Sequence, residues 1–135
     1  MAAYKALIKN YFDQKGTKYR ELDNGLLSVS YNADNTSDIT IILSVDEDEG
    51  KVEFFSFSIG QFKQEQFAQG LIACNDCNAK YRWVKFYIND DNRICVRSDA
   101  IIDESTCGEE CREVIMRMVG IIDECFPVFM KARWS

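Results

Sequence analysis

The chain has no histidine, and it has only one proline and seven glycines among its 135 residues. Histidine is the commonest general base near neutral pH and the commonest metal ligand, so its absence argues against the usual acid–base and zinc chemistry. The serines have no histidine partner, and no glycine-rich loop is present that could cradle a phosphate. The sequence therefore predicts a protein that is not an enzyme.

Long apolar runs and linker-like stretches are missing as well. The N-terminal residues contain no uninterrupted apolar segment of the kind found in secretion signals, and no run approaches the length needed to cross a bilayer. We therefore expect a cytoplasmic protein that does not associate with membranes. A hydrophobic content of 47% and an aromatic content of 13% are enough for one packed core, so residues 1–135 are predicted to form a single domain.

Positive charge is also scarce, because 16 lysine and arginine residues stand against 22 aspartate and glutamate residues. Binding to nucleic acid draws on clustered basic residues, so we expect no nucleic-acid partner. The densest acidic runs lie at residues 46–49, 89–91 and 103–104, each beside a predicted turn. We interpret these runs as solvated loop tips, and attraction of a basic partner is the alternative interpretation.

Two segments in the first two thirds of the chain have the apolar spacing of amphipathic helices. The first covers residues 2–15 and is followed by Gly16, a residue suited to a left-handed helix end. The second runs from Phe62 to about Lys80. Its predicted apolar stripe consists of Phe67, Leu71, Cys74 and Asn78, widened by Ala68, Ile72 and Ala79.

The longest predicted helix runs from Thr106 to Arg133 and contains the only proline, Pro127. Thr106 and Glu109 have the spacing of a capping box, in which two side chains satisfy the first free amides of a helix. The apolar stripe alternates between steps of four and three residues. It consists of Cys111, Ile115, Met118, Ile122, Cys125 and Phe129.

Two hairpins are predicted in the first half of the chain. Residues 19–31 form one of them, with Asp23, Asn24 and Gly25 at its turn. The other connects alternating strands on either side of the acidic 46–50 loop. If Val45 faces Lys51 across this loop, a single face of the sheet is aromatic and aliphatic. In this predicted register Ile41 faces Phe55 and Ile39 faces Phe57.

A third hairpin is predicted after residue 83, and its apolar residues restrict the length of its turn. Val84, Phe86 and Ile88 lie on one face of the first strand, and Ile94 and Val96 of the second strand must join them. A four-residue connection would put the two sets on opposite faces, so the connection must have an odd length or contain a bulge. The other face is predicted to hold Trp83, Lys85, Tyr87, Cys95 and Arg97.

Six cysteines allow a second interpretation of the chain. Cys74 with Cys77, and Cys107 with Cys111, have spacings that could form a four-thiolate zinc site or a redox pair. Both pairs lie in or beside predicted helices rather than on tight turns, and buried free cysteine behaves as a small hydrophobic residue. We therefore interpret the thiols as core residues and expect no cofactor. A thiol-based zinc or redox protein is the alternative function.

Two stretches of sequence resemble the YbjN family of bacterial sensory transduction regulators. They are Cys77–Asp103, with the sequence CNAKYRWVKFYINDDNRICVRSDAIID, and Asp123–Lys131, with the sequence DECFPVFMK. The resemblance is best over residues 70–134. It implies an α+β fold similar to that of type III secretion chaperones, with two layers in which an antiparallel sheet of five to six strands packs against three helices. The hairpin at residues 19–31 departs from the chaperone order of elements.

The same resemblance implies a function in which no catalytic residue takes part. It indicates a cytosolic protein-interaction module, regulatory or chaperone-like, that binds a polypeptide partner or self-associates. In a two-layer fold one face of the sheet is open, and Trp83, Tyr87 and Arg97 are predicted to lie there as partner-binding residues. The alternative is that the N-terminal helix or a dimer covers these rings.

Overall fold

The structure, a computed structural model, describes residues 3–134. Six strands and three α-helices follow one another along the chain, together with one 3-10 turn at Gln64–Gln66. The helices are α1 (Tyr4–Lys15), α2 (Phe67–Lys80) and α3 (Cys107–Arg133). The strands are β1 (Arg20–Glu21), β2 (Leu27–Tyr31), β3 (Ile39–Asp46), β4 (Lys51–Gln61), β5 (Lys85–Ile88) and β6 (Arg93–Ile101).

All six strands form one antiparallel sheet with the order β1-β2-β3-β4-β6-β5. Helix α3 crosses β3, β4 and β6, while α1 and α2 both pack against α3. The helices therefore form one layer and the sheet forms the other. This arrangement confirms the predicted two-layer α+β fold with three helices and up to six strands. Within residues 3–134 no helix is long and apolar enough to cross a membrane.

Helix α3 supplies the centre of the core. Every residue of its predicted stripe is completely buried, which confirms the helical phase assigned from the sequence. Thr106 precedes the helix as expected, but its side chain makes no capping hydrogen bond, so the predicted capping box is wrong. The Asp103 carboxylate instead accepts the backbone N–H of Ser105 at 3.0 Å, and this bond stabilises the turn before the helix.

The register between β3 and β4 differs from the prediction by one residue. Asp46, not Val45, pairs with Lys51, so the connecting loop has four residues. Two features shorten this loop. The Asp46 carboxylate accepts the N–H groups of Asp48 and Glu49, each at 3.0 Å, and Gly50 adopts a left-handed φ of 66°.

A one-residue shift exchanges the two faces of a strand. β4 therefore buries Val52, Phe54 and Ser56 on its core side. Phe55 and Phe57, which were predicted to face the core, lie on the opposite side. A bulge between Ser56 and Gly60 then changes the phase of the strand and returns Ile59 to the core.

Helix α2 buries a different face from the one predicted. Its buried residues are Gly70, Ala73, Cys74 and Cys77. Leu71 and Ile72 are exposed instead, Ile72 by 61%. The helix approaches its neighbours so closely that a Cβ added at Gly70 would lie 2.8 Å from Phe62. Small residues therefore occupy the buried face. Of the stripe predicted from helical spacing, Cys74 is buried as expected, whereas the larger Leu71 and Ile72 are not.

The remaining turns agree with the sequence. Gly16 ends α1 with a left-handed φ of 71°, and the hairpin of β1 and β2 turns at Gly25. In the β5–β6 hairpin Ile88 pairs with Ile94, so five residues lie between them. The predicted odd length is confirmed, because the apolar residues of both strands must share one face.

Candidate functional site

Tyr87 and Arg97 lie on the sheet face that turns away from the helices, as predicted. Tyr87 pairs with Cys95 across the β5–β6 hairpin, while Arg97 pairs with Lys85 on one side and Phe55 on the other. Tyr87 is 37% exposed. Helix α1 packs on α3 in the other layer, so the N-terminal helix does not cover these side chains.

Arg97 is held in place by its neighbours on this face. Its guanidinium lies 3.2 Å from the Glu53 carboxylate and 3.6 Å from that of Asp99, and it stacks over the Phe55 ring at 5.0 Å. Its Nε atom is buried and has no hydrogen-bond partner. The arrangement presents a fixed, half-buried guanidinium plane beside Tyr87.

Trp83 does not join this face, and its predicted place in the strand alternation is wrong. It precedes β5 and has a φ of 78°, a left-handed conformation that is rare for a bulky residue. Pairing with β6 begins only at Lys85, so Trp83 lies outside the strand. The Trp83 ring packs under the Arg117 guanidinium of α3 at 5.0 Å, and Arg117 is paired with Glu113 at 2.8 Å.

Trp83 forms one wall of a groove between the sheet and α3. The groove has a volume of about 640 Å³. Its other walls are the last residues of β6 and the first half of α3. The lining comprises Trp83, Ser98, Asp99, Ala100, Ile101, Thr106, Glu109, Glu110, Glu113, Val114 and Arg117. At its rim Trp83 is 61% exposed and Ile101 is 89% exposed.

Sequence reasoning did not identify this groove. The pair Ile101-Ile102 carried a signal, because neighbouring residues of a strand point to opposite faces and only one of them can enter the core. Ile102 is buried and Ile101 is exposed. The acidic side of the groove gave no separate signal, because the sequence assigns Glu109 to a capping box and acidic residues are favourable at the start of a helix in any case.

The outer edge of β5 is closed by a side chain. The Asn78 carboxamide on α2 accepts the backbone N–H of Phe86 at 2.8 Å and donates to the Phe86 carbonyl at 3.0 Å. These are the two bonds that a neighbouring strand would make. Asn78 therefore does not belong to the apolar stripe in which the sequence placed it, and it prevents β5 from pairing further.

The four cysteines of the alternative function do not form a metal site. Cys74 and Cys77 lie on the buried face of α2, and Cys107 and Cys111 lie in the first turns of α3. Within residues 3–134 no three histidine, cysteine, aspartate or glutamate side chains form a group that could hold a metal ion. Burial raises the pKa of the Cys74 thiol to about 12. That thiol is therefore protonated and a poor nucleophile at neutral pH.

Three carboxylates of the acidic runs bind backbone amides. Asp46 and Asp103 bind backbone amides within their own loops. The Glu47 carboxylate accepts the N–H groups of Tyr4 and Lys5 at 2.6 and 3.0 Å, and it thereby closes the N-terminus of α1. The runs at 46–49 and 103–104 thus have structural roles at loop tips.

Comparison with known proteins identifies the fold. Residues 5–131 match the sequence model of the YbjN family, described as "Putative bacterial sensory transduction regulator". Among solved structures, E. coli YbjN, described as a putative transcription regulator, is similar with a TM-score of 0.64 and 17% identity. That likeness covers 92% of this chain and 93% of that one.

A second similar structure is that of the HopA1-SchA chaperone-effector complex, with a TM-score of 0.52 and 15% identity. It covers 87% of this chain and 91% of that one. No curated protein matches. At these identities the two structures show a shared fold, which is the secretion-chaperone-like fold expected from the sequence. The family match extends over nearly the whole chain, and the chain therefore belongs to the YbjN family.

Proposed function

We propose that this protein is a non-enzymatic, cytoplasmic module, regulatory or chaperone-like, that binds a polypeptide partner through Trp83, Tyr87 and Arg97. The observation that carries the proposal is the exposed aromatic and aliphatic surface around the β5–β6 hairpin. Trp83 and Ile101 are large, exposed side chains on either side of a groove, and Tyr87 and Arg97 lie on the adjoining sheet face. Aromatic residues and arginine are enriched where proteins bind one another.

The comparisons support the same class of function. The family is described as regulatory, and one solved structure with this fold is a chaperone bound to an effector. Arg97 suits a binding surface because its guanidinium is already fixed over Phe55, so little side-chain entropy would be lost when a partner binds. Trp83 is likewise held against Arg117.

The test is a double variant, Trp83→Ala with Tyr87→Ala. Partners captured from bacterial cytosol by the wild-type protein are identified, purified and titrated against wild type and variant. Interface aromatics carry more than about 1 kcal/mol each, so the double change should weaken binding by about 30-fold. Sedimentation of the same proteins distinguishes binding of a partner from self-association.

Trp134→Ala is the matched control, because Trp134 is 83% exposed and lies at the far end of α3. It should leave partner binding unchanged. Surface changes usually alter the free energy of unfolding by less than about 0.5 kcal/mol, so both variants should melt close to wild type. A large loss of stability in the double variant would show that the two rings belong to the core and would overturn the proposed surface.

A further inference from the structure

We propose that the groove between β6 and α3 binds an extended, basic segment of a partner polypeptide, which pairs with the free edge of β6 as an added strand. This inference rests on the proposed function and names both the chemistry of the partner and the way in which it binds. Three features carry it. They are an unpaired strand edge, a groove that runs beside that edge, and the negative charge of the groove.

The free edge follows from the pairing of β6. On one side β4 pairs with β6 as far as Ile101. On the other side the first residue of β5, Lys85, pairs with Arg97, and no β5 residue lies opposite the part of β6 that follows Arg97. Residues 98–101 therefore have no neighbouring strand on the β5 side. The stretch is four residues long, which corresponds to about 13 Å at ~3.3 Å per residue.

The direction of the backbone groups in this stretch can be derived from two hydrogen bonds. Asn89 donates its N–H to the carbonyl of Arg93 at 3.1 Å, so Arg93 directs its backbone groups toward β5. Ile102 donates its N–H to the carbonyl of Gly50 at 2.9 Å, toward β4. Alternation along β6 then places the N–H and C=O groups of Asp99 and Ile101 on the open side. These are the groups that an added strand would bind.

The sheet protects its other edges, which makes the open stretch distinctive. Asn78 supplies both bonds that a strand beside Phe86 would make. At the opposite edge β1 has only two residues, and Glu21 within it is paired with Lys5 and Lys9 of α1 at 2.9 and 2.6 Å. Short strands and charged side chains are ordinary protections of a sheet edge. Asp99 and Ile101 lack a comparable cover among residues 3–134.

The conformation of Trp83 keeps the groove open. Pairing of β5 with β6 begins at Lys85, and Trp83 before it has a left-handed φ of 78°, so the segment from α2 forms no strand pair with residues 98–101. The ring remains beside Ser98 and Asp99 as the end wall. An added strand would contact Trp83 at one end, Val114 of α3 below and Ile101 at the other end, which suits a segment with some apolar side chains.

The charge of the groove favours a basic occupant. Its lining contains four carboxylates, of which Glu113 is paired with Arg117 and Asp99 with Arg97. Glu109 and Glu110 therefore carry the uncompensated negative charge of the groove. One oxygen of the Glu110 carboxylate is buried and has no hydrogen-bond partner. A lysine or arginine of the occupant would supply the missing donor. Pairing of two copies of this chain through the same edge would bring two sets of carboxylates together, so charge disfavours a second copy.

The first probe is a capped eight-residue peptide in which lysine alternates with valine, titrated against the full chain. Trp83 reports binding by its fluorescence in a Trp134→Phe background. We expect the peptide to bind at least about tenfold more tightly than its glutamate–valine counterpart, and less tightly as salt is added. On binding, the amide protons of Asp99 and Ile101 should become protected from exchange, while that of Ala100 should not change.

Backbone-modified peptides test strand pairing directly. Two versions of the lysine peptide carry N-methyl groups on alternate residues, in opposite phases. A strand directs every second N–H toward its neighbour, so one version should lose binding by about tenfold or more and the other should retain it. Retention of full affinity by both versions would overturn strand addition.

Protein variants supply the second test. Ile101→Pro removes an N–H that faces the groove, whereas Ile101→Ala removes the side chain and keeps this donor. We expect the proline variant to bind the peptide about tenfold more weakly than the alanine variant, with similar melting temperatures. Ala100→Pro removes an N–H that faces β4, so it should lower the melting temperature instead. The opposite pattern would refute the alternation derived for β6.

Charge is tested by Glu109→Gln combined with Glu110→Gln, with Glu65→Gln outside the groove as control. Only the double variant should bind the lysine peptide more weakly. Equal binding of the lysine and glutamate peptides, or dimerisation that depends on Ile101, would overturn the basic occupant.

The outcomes also separate this inference from the proposed function. If the peptides do not bind but binding of a purified partner still depends on Trp83 and Tyr87, strand addition fails and the proposed function remains. If the peptides bind and that dependence is absent, the aromatic surface fails instead.

Discussion

Two glycines of α3 should respond to the same substitution with opposite signs. A Cβ added at Gly120 meets no atom within 4 Å, so Gly120→Ala places a methyl group in open space. A Cβ added at Gly108 lies 2.3 Å from Cβ and 2.5 Å from Cγ of Tyr11, on α1. Atoms this close to a backbone cannot rotate away, so α1 and α3 would have to move apart.

The expected magnitudes follow from these environments. Alanine in place of glycine within an exposed helix is favourable by about 0.5–1 kcal/mol, so Gly120→Ala should stabilise the protein by this amount. Overpacking of a tight contact costs about 1–3 kcal/mol, so Gly108→Ala should destabilise it. The two variants should differ by roughly 2 kcal/mol or more in the free energy of unfolding, or by about 6–10 °C in melting temperature.

Urea titration followed by circular dichroism measures both changes on one scale. Tyr11→Ala combined with Gly108→Ala should recover only part of the loss, because alanine at position 11 keeps the Cβ atom of the closest contact. If Gly108→Ala were as stable as wild type, the close approach of α1 to α3 would be wrong. If Gly120→Ala were destabilising, the outer face of α3 at this position would not be open.

The remaining predictions concern the core, the thiols and pH. Ile122→Ala should lower the free energy of unfolding by about 2–5 kcal/mol because Ile122 is fully buried. Glu113→Ala, on the opposite side of α3, should lower it by less than about 0.5 kcal/mol. Equal loss of stability in urea titrations of the two variants would contradict the assigned burial. Chelator should leave the melting temperature unchanged, and one bound equivalent of zinc would contradict this prediction. The Cys74 thiol should react with a thiol reagent only after unfolding, because burial raises its pKa to about 12. Hydrogen bonds from two lysines of α1 lower the pKa of Glu21 from 4.5 to about 2, so its contribution to stability is present at neutral pH and is lost as pH falls through this interval. The difference in melting temperature between wild type and Glu21→Gln should therefore shrink over the same range, and a constant difference would refute the ion-paired role of Glu21.

The candidate site could be predicted from the sequence in part. Alternation in the β5–β6 hairpin correctly placed Tyr87 and Arg97 on the open face of the sheet, because the apolar residues on the other face permit only one register. The same alternation failed at Trp83, which precedes the strand and has a left-handed conformation. The groove was not predicted, since it depends on β5 beginning only at Lys85, opposite Arg97, while β6 continues to Ile101.

Some features were determined by the sequence alone. Six apolar residues at helical spacing define the buried side of α3 whatever it packs against, and Gly16 and the apolar pairs of the last hairpin define their own turns. Only the tertiary structure decided the β3–β4 register and the buried face of α2. The folded β3–β4 loop is one residue shorter than expected, and in it the Asp46 carboxylate accepts the N–H groups of Asp48 and Glu49. Close approach of α2 at Gly70 selects small residues over the larger Leu71 and Ile72. Local periodicity reports which residues share a face, but the distance between packed elements decides which face is buried.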